Sequence, residues 1–508
     1  MESELTTGKK KRKLSFPSAW LIVFILLIIG ALLTYIIPAG SYSTLIYDEE
    51  SNMFTITAPN GDESQMPATE ETLQKLGIKT ELSKLVDGTI WKPIAIPGSY
   101  EHVAAQHQGF IDVIMSVVNG VYECIDIMFF VLVLGGCLGI LNHSGAFPSG
   151  IAALSRVTKG KEFILIILVT FLISLGGTTF GMAEETMALY PVLVPVFIAA
   201  NYDALICVTA IYMGSTIGCM FSTVNPFSAV IASNAAGIDF TNGIYWRMGG
   251  LVIGVVMVIL YILRYARTVK KDPTKSLVYE EHEIIEAAFV DSREPQPMNK
   301  RFAIAMIAFL ICFVVMIYGV INLDWWFGEM TAVFIVGAFI IGVVLGLPEK
   351  QFFDQFINGA SDLVGVGLII GFSRSVNIML EDGKIQDTIL HGLTNSVGAM
   401  NPFIFLILLM FIYLILGFFI NSSSALAVLT IPIMAPLADA VGLPRELVIS
   451  AYVYGLGIIT AVSPCSLALI TCEMVKVPYV KYVKFVMPLV GMMTILGGVM
   501  LVLQAAFV

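Results

Sequence analysis

The stretch GGTTFGMAEETMALYPVLVPV (Gly176–Val196) sets a glycine- and threonine-rich break and two adjacent glutamates inside a run that otherwise reads as membrane. Before the break lies FILIILVTFLISL (Phe163–Leu175) and after it MALYPVLVPVFIAA (Met187–Ala200), arms of 13 and 14 residues. Each makes roughly 20 Å of helix, whereas a hydrocarbon core of about 30 Å needs about 20 residues. Neither arm is expected to cross. Two arms that return to one side form a re-entrant hairpin, whose irregular tip is tolerated at membrane depth only when buried in protein or lining a wet cavity.

Composition sets the medium. The chain is 508 residues long, 57% hydrophobic and only 13% charged, with a mean hydropathy of +0.86. That excludes an ordinary soluble domain and points to an all-α polytopic membrane protein. The seven cysteines have no regular spacing, so no disulfide framework or zinc motif is readable. The KKKRK run (Lys9–Lys13) precedes AWLIVFILLIIGALLTYIIPAG, which reads as a first transmembrane helix with a cytoplasmic start.

Loop charges orient the remainder, because short cytoplasmic loops carry excess Lys and Arg. Arg156, Lys159 and Lys161 mark one inner loop, Arg264 through Lys275 a second, and Lys476, Lys481 and Lys484 a third. The turns near Asp239 and Asp324 hold no basic residue and are placed outside, as is the polar, acidic segment 41–108. The expected organisation is therefore a basic N-terminus and first helix (1–40), an extracytoplasmic segment (41–108), a first transport repeat (109–265), a cytoplasmic linker (266–300) and a second repeat with preceding scaffold helices (301–508).

The opening pattern recurs. GFFINSSSALAVLTIPIMAPLA begins at Gly417, and one offset of 241 carries Gly176 to Gly417, Pro191 to Pro432, Pro195 to Pro436 and Gly214 to Gly455. The segment EDGKIQDTILHGL ahead of it falls outside, so this hairpin enters from the opposite face and the two repeats are inverted. Each hairpin precedes a long apolar run broken by proline, at Asn225-Pro226 and at Ser463-Pro464. Inverted repeats with a re-entrant hairpin and a discontinuous helix in each are the sequence pattern of a secondary transporter whose substrate binds near the midplane.

At these motifs the chain resembles a known group. The layout, with NSSSALAVLTIPIMAPLA and STVNPFSAV as hairpin tip and Pro loop, is similar to the ion-transporter superfamily that includes divalent-anion/sodium symporters. Nearer still is the anaerobic four-carbon dicarboxylate carrier family. Within it GGTTFGMAEETMALYPVLVPV, GFSRSVNIMLEDGKIQDTI and IPAGSY resemble the YfcC-type branch of basic amino acid antiporters. The resemblance implies exchange of arginine- and ornithine-type substrates by alternating access in a bacterial inner membrane, with no enzyme activity. The first tip has GTTFGMAEE where the superfamily has Ser-Asn-Thr, which argues against a sodium site there.

The residues themselves carry a parallel reading. An acidic residue at a helix centre costs about 2.5 to 3.5 kcal/mol on insertion scales, so Glu184 and Glu185 call for partners. They open the hairpin's second arm, where a carboxylate in a first helical turn is also stabilised by free N–H groups. Successive helical positions diverge by about 100°, so Glu184 is read as facing the cavity and Glu185 as capping. Arg374 is read as an anchor for a substrate carboxylate, its alternative being an ion pair with Glu123 or Asp126. The expected binding set is Gly177, Thr178, Thr179, Glu184, Glu185, Ser222, Thr223, Asn225, Arg374, Asn421, Ser422, Ser423 and Ser463.

The rival readings stay open at this stage. A sodium- or proton-coupled C4-dicarboxylate symporter would place a cation among Ser422, Ser424, Thr460 and Ser463; no other cofactor is expected. Five scattered histidines give no metal motif for a membrane metalloenzyme, and no charge ring or carbonyl filter marks a channel. The expected partners are a small-molecule substrate (amino acid or carboxylate) and the lipid bilayer, with a homodimer left open and no nucleic acid.

Overall fold

A computed structural model describes residues 19–507 apart from 79, 89, 91, 159, 290–296, 324, 396–401 and 441. The basic run Lys9–Lys13, Lys159 and Asp324 lie outside the described residues, as does part of the linker.

Among the described residues, eight helices are long and apolar enough to cross a membrane, which makes this a multi-pass membrane protein. The helix Ala19–Ile36 shows how such a sequence divides its faces: Val23, Leu27, Ala31 and Thr34 recur at helical spacing and are buried, while Leu21, Phe24, Ile25, Ile28 and Leu32 are exposed. Its inner stripe packs on Val364–Asp382, where a Cβ at Gly30 would touch Met379 at 3.4 Å.

Element order is duplicated. The hairpin helices Phe163–Phe180 and Pro402–Phe419 start 239 residues apart, and the next helices Ala204–Met220 and Arg445–Thr460 start 241 apart. Two helix pairs ahead of the hairpins, Phe110–Glu123 with Ile125–Ser144 and Glu349–Asp362 with Val364–Asp382, break at Cys124 and Leu363, again 239 apart. These broken pairs lie against each other in opposite directions. A Cβ at Gly120 would fall 2.3 Å from the Gly371 oxygen, one at Gly135 would fall 2.5 Å from the Gly359 oxygen, and Gln351 Nε2 meets His143 Nε2 at 2.7 Å. Small residues at these crossings let the backbones touch.

The apolar runs after the hairpins break where proline predicts. Ala204–Met220 gives way to irregular backbone before Pro226–Val230 and Ile231–Ala236, and Arg445–Thr460 is interrupted before Leu467–Met474. The hairpin boundary differs from the expected one. The first arm does not break at Gly176 but runs on through Phe180, and Gly181 ends it in the left-handed region at φ 75°. The reason is packing: a Cβ at Gly177 would sit 2.6 Å from the Ser215 oxygen, so Gly177 serves close helix contact, while one at Gly176 would meet Met182 of its own hairpin at 3.0 Å. An arm of 18 residues reaches about 27 Å, so length alone no longer separates a re-entrant arm from a span.

The polar segment adds β structure that the sequence reading did not resolve. Four antiparallel strands follow the order Glu63–Pro67, Met53–Thr57, Thr44–Asp48 and Ile94–Ala95, and Gly40–Ser41 pairs with Glu101–His102. The segment is moored to the second half. Asp387 accepts from the Tyr42 N–H and the Ser41 hydroxyl, both at 3.0 Å, and Tyr100 stacks on His391 with centroids 4.0 Å apart.

Candidate functional site

Each half joins its hairpin tip to its helix break through one asparagine. In the first half Asn225 stands at the break: Oδ1 accepts the Phe227 N–H at 2.9 Å, and Nδ2 donates to the Gly177 oxygen at 3.3 Å. Proline at 226 removes one backbone donor, and the Asn225 side chain supplies the cap for the next. Thr178 Oγ1 donates to the Phe221 oxygen at 2.8 Å and lies 3.1 Å from Thr223 Oγ1. The Ser215 hydroxyl donates to the Met182 carbonyl. Gly181 is required twice over, since its φ is positive and a Cβ there would lie 2.8 Å from Asn225 Nδ2.

In the second half the asparagine belongs to the hairpin. Asn421 Nδ2 donates to the Cys465 oxygen at 2.8 Å, between Ser463 and Leu467. The middle of the helix Ala204–Met220 meets the second break through Tyr212, whose hydroxyl donates to the Thr460 oxygen at 2.7 Å and lies 3.0 Å from Ser466 Oγ. Met220 packs on the facing helix, 2.5 Å from where a Cβ on Gly457 would stand.

The two glutamates differ in burial and in contacts. Glu185 is 9% exposed and its Oε2 accepts the Ala183 N–H at 3.0 Å, a capping contact. Glu184 is half-buried and lies within electrostatic reach of Asp126. Asp126 in turn accepts from Trp326 Nε1 at 3.0 Å. Arg374 Nε donates to Glu123 Oε2 at 2.7 Å, with about a third of the Arg374 side chain and about half of the Glu123 side chain exposed. This is the ion pair weighed as the alternative to an anchor. Cys124, where the first scaffold helix breaks, is flanked by Glu123 and Asp126.

Other expected residues fall as follows. Gly177, Thr178, Thr223 and Asn225 form the first junction, and Ser222 meets Ser228 Oγ at 2.7 Å beside it. Thr179 is exposed and turns its hydroxyl back to the Leu175 oxygen at 2.6 Å, away from the junction. Ser422 Oγ accepts from Lys92 Nζ at 3.3 Å, the Ser423 oxygen accepts from Tyr452, and Ser463 Oγ accepts the Cys465 N–H at 3.2 Å. Sequence reasoning missed Lys92, Tyr212 and Trp326. Tyr212 left a readable trace, a lone phenol in an apolar broken helix, whereas the other two act only through tertiary contact. Among the described residues, no three His, Cys, Asp or Glu side chains group as metal ligands.

Comparison with known proteins bears on this arrangement. The model of the family described as C4-dicarboxylate anaerobic carrier matches residues 16–506. An uncharacterized protein of Haemophilus influenzae is 45% identical over 505 residues, covering 99% of each chain. A protein of Escherichia coli named "Putative basic amino acid antiporter YfcC" is 26% identical, covering 98% of each chain. The solved YdaH transporter of Alcanivorax borkumensis aligns at 13% identity over 97% of this chain and 99% of that one, with a TM-score of 0.38, too low to assign a shared fold.

Proposed function

The chain belongs to the C4-dicarboxylate anaerobic carrier family, and from that premise we propose that it exchanges basic amino acids of the arginine and ornithine type by alternating access. Family and relatives are membrane transporters of small molecules rather than enzymes. The finer reading rests on one observation: Arg374 pairs with Glu123 and Trp326 donates to Asp126, so a basic group and two acidic ones lie at the helix break around Cys124. Intramembrane charges of this kind mark substrate pathways.

A basic amino acid fits both signs. Its ammonium or guanidinium meets the carboxylates of the first tip while Arg374 takes its carboxylate, so each desolvated charge has a partner. A dicarboxylate at the same acids is repelled by about 4 kcal/mol for a pair 4 Å apart at an effective dielectric of 20. The binding set in this reading is Glu184, Arg374, Asn225, Asn421, Ser422 and the Thr178–Thr223 pair, with Glu185 as a cap. The name carried by the Escherichia coli relative agrees with this substrate class.

Exchange needs no obligatory ion, and the second tip gives a physical reason to doubt one. A sodium ion at Ser422, Ser424, Thr460 or Ser463 would sit beside the Lys92 ammonium, and the Thr460 oxygen already accepts from Tyr212 and Ser466. Coupled C4-dicarboxylate symport remains the competing reading, favoured by the description of the family. In this proposal the two hairpins are re-entrant from opposite faces, the N-terminus is cytoplasmic, and the domain division stated from the sequence holds. Counterflow of labelled arginine against ornithine, lysine and succinate in proteoliposomes tests it. Accumulation driven by ornithine or lysine supports exchange; accumulation of succinate with none of arginine replaces it with the dicarboxylate reading.

A further inference from the structure

We propose that Tyr212, Tyr479 and Tyr482 are positioning residues that hold the second helix break in shape in place of a bound cation, their hydroxyls taking three consecutive backbone oxygens that the break frees. This role presupposes the ion-free exchange proposed above.

The break creates the need. In an unbroken helix the Thr460, Ala461 and Val462 carbonyls would accept the N–H groups four residues on, at Pro464, Cys465 and Ser466. Proline has none to give. The other two turn elsewhere: the Cys465 N–H meets Ser463 Oγ at 3.2 Å, and the Ser466 N–H meets the Ser463 oxygen at 3.1 Å. Adjacent oxygens are thereby freed at the C-terminal end of Arg445–Thr460, where the helix macrodipole is negative. Freed carbonyls at the end of a half-helix are the groups that coordinate a coupling ion in transporters with discontinuous helices.

Here phenols reach all three. Tyr212 Oη donates to the Thr460 oxygen at 2.7 Å, Tyr482 Oη to the Ala461 oxygen at 3.0 Å, and Tyr479 Oη to the Val462 oxygen. The donors come from both halves of the chain. Tyr212 belongs to Ala204–Met220, whereas Tyr479 and Tyr482 stand three residues apart on Tyr479–Phe507, a spacing that sets both on one helix face. The buried rings of Tyr212 and Tyr482 meet edge to face with centroids 6.1 Å apart. One buried phenol finding a carbonyl is ordinary satisfaction of a polar tip. Three on successive oxygens, converging from two helices, make a shell around the break. The first break is tied by other means, Thr178 on the Phe221 oxygen and Asn225 on the Gly177 oxygen.

The chemistry of the donor decides what the shell does. A hydroxyl turns the positive end of its dipole toward the oxygen, as a cation would, yet it carries no net charge and belongs to the protein. The break therefore keeps its shape whatever the ion gradient. Exchanging tyrosine for phenylalanine keeps the ring and removes the donor, which leaves a desolvated carbonyl unpaired. Further oxygens already stand beside it, since Ser466 Oγ lies 2.9 Å from the Thr460 oxygen and 2.6 Å from the Ser463 oxygen. A sodium ion entering such a set of neutral oxygens would restore what the phenol supplied.

The test compares wild type, Tyr212→Phe, Tyr479→Phe and Tyr482→Phe in proteoliposomes, in sodium chloride and in choline chloride of equal ionic strength. Whichever of arginine and succinate the wild type carries serves as the transported probe, so the result does not hang on the substrate. Wild type is expected to transport alike in the two salts. Tyr212→Phe should lose about tenfold in kcat in choline with little change in KM, and Tyr482→Phe should fall in the same direction. Sodium should restore most of that rate and raise the melting temperature of the variants in detergent, while leaving that of wild type unchanged. Wild-type rates in choline for all three variants, or a loss that sodium does not repair, overturns the role. Should wild type itself require sodium, the ion-free reading falls, and the apparent sodium affinity then decides the role of the phenols separately. A tighter sodium affinity in Tyr212→Phe than in wild type keeps it; an equal one overturns it.

Discussion

The two hairpin junctions solve one structural problem with opposite chemistry. In the first, the asparagine stands on the broken helix and reaches the hairpin (Asn225 to the Gly177 oxygen); in the second it stands on the hairpin and reaches the broken helix (Asn421 to the Cys465 oxygen). Both tie a tip to a break. Around them, however, the first tip gathers Glu184 and Glu185, and the second gathers serines and a lysine from the polar segment. A duplicated architecture holding unlike charges at its two tips suits a substrate that is itself charged differently at its two ends.

The strongest way to break the comparison is to disturb the helix crossing that both halves share. A Cβ at Gly218 would lie 2.3 Å from the Ser174 oxygen, and one at Gly455 would lie 2.3 Å from the Met410 oxygen. Gly218→Leu and Gly455→Leu are each expected to cost about 3 kcal/mol or more and to leave little folded transporter. Size-exclusion yield and thermal stability in detergent measure this. Tolerance at one position and collapse at the other would show that the halves do not bear load alike.

A middle-sized effect separates the junctions. Asn225 is 2% exposed and serves as both cap and tie, while Asn421 is half-buried and makes the single tie to Cys465 among its described hydrogen bonds. Asn225→Ala should therefore lose about 1 to 3 kcal/mol of stability, and Asn421→Ala about half that, as read from melting curves. The reverse order would contradict the division of roles.

The smallest effect lies at the foot of the first hairpin. Glu162 accepts from Lys270 at 2.8 Å, and that bond, with the Gly160 N–H, lowers its carboxyl from 4.5 to about 2. A lowered folded value means the contribution is complete above 4.5 and fades as pH falls toward 2. The pair is near the surface, so the effect is small and salt should weaken it. The difference in melting temperature between wild type and Lys270→Gln should be flat from pH 7 to 5 and shrink below pH 4.5. A difference that grows on acidification would show that Lys270 acts through another partner.

How far the sequence could be read follows from the range over which each signal acts. Pro226, Pro464 and the Asn-Ser-Ser-Ser tip perturb backbone locally, so the breaks were legible where they stand. Gly176 and Gly177 read as the first break because a packing glycine and a turn glycine look alike; the approach of Ser215 and Gly218 to Gly177, and of Met182 to Gly176, distinguishes them. The strands Thr44–Asp48 and Met53–Thr57 went unread because the polar segment was judged by charge rather than by alternation. Lys92 could not be placed at all. Its partner Ser422 lies 330 residues away, and the contact exists because the strand Ile94–Ala95 docks on a helix of the other half.

Glu184→Gln and Glu185→Gln, compared with wild type for arginine and succinate uptake in proteoliposomes, test the two-signed site most directly. Glu184→Gln should lose arginine uptake by about an order of magnitude, because a neutral amide no longer offsets the substrate's desolvated cation. Glu185→Gln, whose amide oxygen can still accept the Ala183 N–H, should retain most of it. Undiminished arginine uptake in both variants, or succinate as the better wild-type substrate, would contradict the assignment of the first tip as the cation-binding end.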